Sequence, residues 1–524
     1  IFSSSITQGR QRYPQAKEQL IRYINYGALV VNYLGHGGED GMAGERIFEK
    51  ADAQNLTNKD KYPLFITCTC ELTKFDNPYR PTCGEYIYWN PKGGAIAMIT
   101  TTRAIYVSVA LSFNDYLSTR LYSFAGGDYP TMAEALRQAK LTQSNYARVI
   151  AFVGDPALKL AIPKPKVVLT AVNDIPVSAG PQVLNSLSYV KMAGMVTDEG
   201  GNIINNYNGD LAVSVFDKNI QRHTLGNDDP SIIKPFVTLG ETIFRGNASV
   251  NNGRFEFGFV VPRDIRIPVG NGRISFYAKR NNVLEDQNGY DNGILVGGVN
   301  ANAVTDNTPP KVKLYMNDTS FVNGGITNSS PIFLAFLEDE HGINTASGIG
   351  HDIIAILDGD ENNPYILNDY YETELNDFTR GHLSFPLSNL AKGLHTITFK
   401  AWDVYNNPIT AEIQFVVVGD EGVVLEKVLN YPNPFVSYTE FWFTHNRPYE
   451  PLDVQVQIFT VAGKVVKTIN QSVTTDGFLS REIRWDGRDD FGDRIGKGVY
   501  IYKLTVKSST TNNKAEKYEK LVLL

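Results

Sequence analysis

"ALVVNYLGHGGEDG" (residues 28–41) decides how the first third of this 524-residue chain is read. Its left half is a short continuous apolar run, the pattern of a strand covered on both faces. Its right half is a glycine-rich loop around His36. Upstream, Ala16, Leu20, Ile21 and Ile24 mark one helical face that Gly27 can end. The same unit recurs. "YPLFITCTC" (62–70) is a second apolar run, followed by a helical stretch near 84–89. "AIAMITTT" (95–102) is a third, followed by a helical stretch over 107–122. Thr131 and Glu134 have the spacing of a capping box, opening a further helix ahead of "RVIAFVGDPALKL" (148–160). Strands alternating with helices predict an α/β sheet with right-handed crossovers for residues 1–162.

From 163 onward the helical period disappears. Alternating segments such as "DLAVSVFD", "GRFEFGFVVP", "HTITFKAWD" and "VQVQIFTVAGKVVK" are separated by Gly, Asn, Asp and Pro, which predicts hairpins. "TDNTPP" (305–310) and "NYPNPF" (430–435) punctuate the tail, since proline stiffens the chain and withholds a ladder donor. The expected division is three β-sandwiches over 163–307, 308–420 and 421–524. "LDGDENNP" (357–364) has calcium-loop spacing at Asp358, Asp360 and Asn362. Asn363 in place of the turn glycine and Asp369 in place of the closing Glu make it a polar hairpin turn instead.

The net charge of −7 argues against nucleic acid as a partner, because phosphate binding needs clustered Lys and Arg. No apolar run reaches the roughly 18 residues of a membrane-spanning helix, so membrane attachment is expected through a partner. A chain opening on Ile1 is expected to be part of a longer polypeptide. Its three cysteines, Cys68, Cys70 and Cys83, lie close together, which points to one local site rather than a disulfide framework.

That site begins with His36, the only histidine in residues 1–162. It follows the first apolar run and Cys70 closes the second, so adjacent strands would set both on the carboxyl rim of the sheet, where α/β ligand sites lie. An imidazole beside a thiol favours the thiolate and can then protonate a leaving amine. Gly37 and Gly38 would let backbone N–H groups approach an oxyanion. Cys70 is preferred as nucleophile because it stands at the strand end, with Cys68 one step back in the sheet and Cys83 packing. Three other readings compete: a zinc site from Cys68, Cys70, Cys83 and His36, whose C-x-C spacing is poor; inert buried cysteine; and a phosphate loop, which lacks the Lys-Ser/Thr pair. Thr100, Thr101 and Arg103, ending the third run on the same rim, are expected to line a substrate cleft. For Arg103 a surface ion pair is the alternative.

"NYLGHGGEDG", "NLTNKDKYPLFITCTCELTKFDNP" and "GEYIYWNPKGGAIAMITTTR" together resemble the gingipain-type cysteine peptidases, whose fold is similar to that of caspases. The resemblance implies a dyad of Cys70 and His36, Cys70 standing five residues before the Phe75-Asp76 pair. The acidic residue that assists the dyad in that family lies upstream of the matching segment. "VGDPALKLAIPKP", "LNDYYE", "KAWDVYNNP", "NYPNPF" and "WDGRDDFGDRIGKGVYIYKLTV" further resemble the type IX secretion-system sortases of the Bacteroidetes. What this implies is a truncated caspase/gingipain-like α/β domain followed by three Ig-like β-sandwiches, the last a secretion and docking module. The implied activity is that of a cell-surface cysteine peptidase and transpeptidase. It removes the C-terminal signal domain of cargo proteins and joins the new end to anionic lipopolysaccharide through a thioester, with the Gly37 and Cys70 amides holding the oxyanion. No cofactor and no metal are implied. The implied partners are the cargo signal domains, anionic lipopolysaccharide, the outer-membrane barrel PorV and the attachment proteins PorQ and PorZ. A secreted gingipain-like endopeptidase would use the same dyad, and a non-catalytic surface adhesin would need no thiol.

Overall fold

The structure, a computed structural model, describes residues 5–7, 10–142, 145–226, 233–346, 350–388, 390–418, 422–447, 450–475, 478–509 and 513–524. The expected boundary at 420–421 lies outside the described residues. The chain forms two compact units, one of residues 1–164 with 221–236 and one of 165–220 with 237–524.

In the first unit, helix α1 (Pro14–Tyr26) ends where the Gly27 amide donates to the Tyr23 carbonyl at 3.1 Å. Four strands follow, β1 (Val30–Leu34), β2 (Leu64–Cys68), β3 (Ala97–Thr101) and β4 (Ile150–Val153), side by side in that order. The first three are mutually parallel, Leu34 facing Cys68 and Thr67 facing Thr100. Strand β4 runs antiparallel to β3. The reason is the connection: α4 (Val107–Leu121) and α5 (Met132–Leu141) bring the chain back to the end of β3 that it left, where the Thr102 amide donates to the Val149 carbonyl at 2.9 Å.

Side-chain alternation along β2 and β3 serves two cores. Leu64, Ile66, Cys68, Ala97 and Ile99 pack with Phe113, Leu117, Met132 and Leu136 of α4 and α5. Phe65 and Met98 pack with Ile24 of α1, Ala53 of α2 (Lys50–Asn55), and Cys83 and Ile87 of α3 (Cys83–Trp89). Strands β2 and β3 are buried along their whole length, as continuous apolar runs predict. Strand β1 departs from that reading: among the described residues it has one neighbouring strand, and its residues are only half-buried or exposed. Thr131 caps α5 by accepting from the Glu134 amide at 3.1 Å, but Glu134 turns its carboxylate to Arg137 instead of closing the box. A reciprocal box forms at Thr82 and Glu85, ahead of α3.

The second unit is all β. Its residues 165–220 and 237–299 make a large sheet and a three-stranded sheet around one core. The large sheet curls until Gly289 lies against Val167, where a Cβ would stand 1.8 Å from the carbonyl oxygen. Residues 311–417 form a four-stranded and a five-stranded sheet around Phe333, Phe385, Phe399 and Phe415. Residues 425–523 form a three-stranded and a four-stranded sheet around Phe441, Val456, Tyr502 and Leu521. The first two sandwiches dock through a small cluster of Val260, Val404 and Tyr405, and through the Arg263 amide donating to the Val404 carbonyl at 2.9 Å. The "LDGDENNP" stretch is a polar hairpin turn, with the Asp358 carboxylate 2.7 Å from His395 Nδ1. Among the described residues no helix is long and apolar enough to cross a membrane, which says nothing of strands.

Candidate active site

Strands β1 and β2 pair with Leu34 opposite Cys68, so His36 and Cys70 each lie two residues past the same rung. Both leave the sheet at its carboxyl rim, the position of ligand sites in open α/β sheets. Gly37 keeps the two loops together beyond the strands. A Cβ there would stand 2.4 Å from Thr69 Oγ1 and 3.0 Å from its Cγ2, whereas one at Gly38 would meet nothing within 4 Å. Thus Gly37 is demanded by packing and Gly38 is not. Thr69 is buried and both branches of its side chain face Gly37, so turning the hydroxyl aside would still leave Cγ2 against an added methyl.

The main chain at His36 is fixed while its ring is exposed. Its carbonyl accepts from the Ala43 amide at 2.8 Å and from the Tyr33 hydroxyl at 2.6 Å. In the miniature hairpin that follows, Gly37 pairs with Met42. With Ala43 bonded to His36, these two are the non-hydrogen-bonded pair of the ladder, so the Gly37 amide is not spent on its partner strand. That leaves it available as a donor on the rim.

The three thiols are all free and occupy distinct environments. Cys68 lies in the α4/α5 core and Cys83 in the opposite core, at the first turn of α3. Burial pushes both up to about 12, so at neutral pH they remain protonated and out of reach. Cys70 is only half-buried. Among the described residues no three of His36, Cys68, Cys70 and Cys83 gather at ligand distance, which removes the zinc reading.

Glu39 is the residue that sequence reasoning missed. Its side chain is 12% exposed and receives Lys74 at 3.3 Å, Asn77 at 2.9 Å and Arg80 at 2.9 Å, all from the loop after Cys70. Its carbonyl accepts from the Cys83 amide at 2.8 Å. One residue of the His36 loop therefore binds the Cys70 loop at four points. Arg80 first, then Lys74 and Asn77, hold the Glu39 carboxyl below its ordinary 4.5. The signal in the sequence was an acidic pair after "GHGG" and polar residues at 74, 77 and 80 of the loop that follows Cys70.

The turn after Cys70 is sharp. Glu71 adopts φ +51°, a left-handed conformation unusual for a residue with a side chain, and the Thr73 amide donates to the Thr101 carbonyl at 3.2 Å. Thr100 and Thr101 are fully buried beneath it. The Thr100 hydroxyl meets those of Thr67 and Thr73 at 2.8 Å each, and the Thr101 hydroxyl donates to the Thr69 carbonyl. This corrects the expectation that Thr100 and Thr101 line a cleft: they prop the rim from below. Arg103 forms a two-pronged ion pair with Asp76 at 3.0 and 2.5 Å, both side chains half-exposed, so the ion-pair reading holds for it. The hollow beside His36, about 360 Å³, is lined by its own loop, including Gly38, Asp40, Met42 and Arg46, and not by Cys70.

Residues 1–161 match the model of peptidase family C25. No curated protein matches the chain. Among solved structures it is similar to dimeric latent PorU from Porphyromonas gingivalis, with 30% identity and a TM-score of 0.33 over 83% of this chain and 41% of that one. It is also similar to a protein solved as "Structure of Protease", with 19% identity and a TM-score of 0.22 over 51% of this chain and 55% of that one. Fibronectin(III)-like modules of Clostridium thermocellum CbhA match at 8% identity and a TM-score of 0.17, over 41% of this chain and 94% of theirs. The chain spans about two fifths of the PorU chain it matches.

Three outcomes are expected. Iodoacetamide at neutral pH should modify one thiol per native chain, Cys70 by peptide mapping, and all three after denaturation; native labelling of Cys68 or Cys83 would contradict the burial argument. Gly37→Ala should lower kcat/KM at least tenfold and Gly38→Ala less than twofold, since misplacing a catalytic group by about 1 Å costs up to about 10²-fold. The third follows from the depressed Glu39 carboxyl. Its contribution is complete above 4.5 and is lost as pH falls through the lower folded-state value. Hydrogen-exchange protection of residues 37–42 and 74–83 should therefore be flat from pH 5 to 8 and drop together in stronger acid; Glu39→Gln should remove that drop.

Proposed function

We propose, from the premise that the α/β unit belongs to peptidase family C25, that the chain is a cysteine peptidase of transpeptidase type with Cys70 as nucleophile and His36 as general acid and base. The observation that carries this is the placement of the one half-buried thiol and of His36, the one histidine in residues 1–162, at equivalent positions past a parallel rung. The Cys70 sulfur attacks the scissile carbonyl carbon, and the oxyanion formed is met by the amides of Gly37 and Cys70. His36 gives its proton to the departing amine, the C–N bond breaks and a thioester remains. An acceptor amine then attacks the thioester, His36 takes its proton and the thiolate leaves. With water as acceptor the same residues give hydrolysis.

The finer reading rests on the sequence motifs that resemble type IX sortases. On it, the substrate is the C-terminal signal domain of an exported protein and the acceptor is anionic lipopolysaccharide. The enzyme works at the cell surface, held at the outer membrane by PorV with PorQ and PorZ as neighbours. The 425–523 sandwich would be the docking module.

Purified chain should be incubated with a fusion ending in such a signal domain, with and without a primary amine, and the products weighed. The expected result is a cleaved product carrying the amine, abolished by Cys70→Ala and by His36→Ala and retained by Cys68→Ala. Cleavage with water alone would favour the endopeptidase reading, and full activity in Cys70→Ala would overturn the assignment.

A further inference from the structure

The linker "TDNTPP" delivers Asp306 to the second sandwich, beside the turn that follows strand Ile332–Glu338. There Asp306, Asp339 and His341 each present a ligand-capable atom, and these atoms lie within 4.8 Å of one another. Asp306 Oδ2 is 3.2 Å from His341 Nδ1. The Asp306 side chain is 5% exposed and Asp339 is 3% exposed, so both carboxylates have left bulk water.

Asp339 supplies a second, independent observation. Its Oδ1 accepts from the amides of His341 and Gly342 at 2.9 and 3.0 Å, which shapes the turn. Its Oδ2 is buried and, among the described residues, has no hydrogen-bond partner. A buried carboxylate oxygen without a donor is costly, and native proteins leave few. Neighbouring Asp403 is fully buried too, but both its oxygens are used, Oδ1 by the amides of Tyr405 and Asn407 and Oδ2 by the Asn407 side chain. It adds negative charge and no free ligand. Two buried carboxylates thus share the site with one imidazole, with Asp403 buried nearby, a balance that a cation corrects.

We propose that Asp306, Asp339 and His341 bind a divalent transition-metal ion, zinc in the first instance, that fastens the linker to the second sandwich. The imidazole decides the class: a mixed nitrogen and oxygen set suits zinc or manganese, whereas calcium takes six to eight oxygens. The consequence is mechanical. His341 packs edge-on against Tyr405 with ring centres 4.8 Å apart, Arg263 of the first sandwich lies over the Tyr405 ring at 5.7 Å, and the Asn407 side chain donates to the Asp306 carbonyl at 3.4 Å. An ion at this point stiffens the junction between the first two sandwiches.

The test uses the full chain with Cys70→Ala, so that the active-site thiol cannot capture zinc. After treatment with EDTA and desalting, it is titrated calorimetrically with ZnCl₂, MnCl₂ and CaCl₂, and its thermal unfolding is followed with each ion. One equivalent of zinc should bind with a Kd of about 10 μM or tighter and raise the melting temperature. Adding Asp339→Asn or His341→Gln should weaken binding at least tenfold with unchanged far-UV circular dichroism. The His341 ring is partly exposed, so its variant answers the question even if Asp339→Asn fails to fold. Binding of none of the three ions, or equal binding in both variants, would overturn the site. Calcium binding that exceeds zinc and is lost in both variants would overturn the transition-metal assignment.

Discussion

Glu39 is the constraint on which the rim that carries His36 and Cys70 depends. Parallel pairing of β1 and β2 fixes where the two loops start, but it says nothing about where they go, since ladder bonds stop at Leu34 and Cys68. Past that point the His36 loop is held by one carboxylate shared among Lys74, Asn77 and Arg80, by one carbonyl bonded to the Cys83 amide, and by the contact of Gly37 with Thr69. A charged group bonded to several donors and mostly shielded from solvent is a far better clamp than an exposed ion pair, because it is less screened and its geometry is set from several sides. The Arg103–Asp76 pair, half-exposed, is the weaker strap on the far side of the same loop.

The threonines beneath the rim explain why the thiol stands where it does. Thr67, Thr73 and Thr100 share hydroxyl contacts, and Thr101 bonds the Thr69 carbonyl, so the turn that presents Cys70 is tied to β3 from inside. Each of these threonines is buried, where leaving a hydroxyl unpaired is penalised. Anchoring of this kind fixes the main chain on either side of Cys70.

The alternation of helices and apolar runs was legible, and so was the switch to hairpins at 163, because both are periodicities that burial imposes on sequence. The reversal of β4 was not, since nothing local distinguishes two helices that cross a sheet from two that return. The different exposure of the three cysteines was legible by position: Cys68 lies buried within β2, Cys83 opens a helix in the opposite core, and Cys70, past the end of β2, is only half-buried. The roles of Thr100 and Thr101 were misread because end-of-strand placement suggests a cleft, whereas the direction of a side chain depends on which core lies beneath. Glu39 escaped because its side-chain partners are 35 to 41 residues away, in a loop outside any regular element.

Coupling between the two loops is measured most directly by the second-order rate of Cys70 alkylation at neutral pH in the intact chain, in His36→Ala and in Glu39→Gln. Glu39→Gln leaves both the thiol and the imidazole in place. If the clamp aligns them, its rate should fall most of the way to that of His36→Ala, and the two changes combined should cost little more than either alone. A Glu39→Gln rate equal to that of the intact chain, with His36→Ala slow, would contradict the claim that Glu39 holds the dyad together.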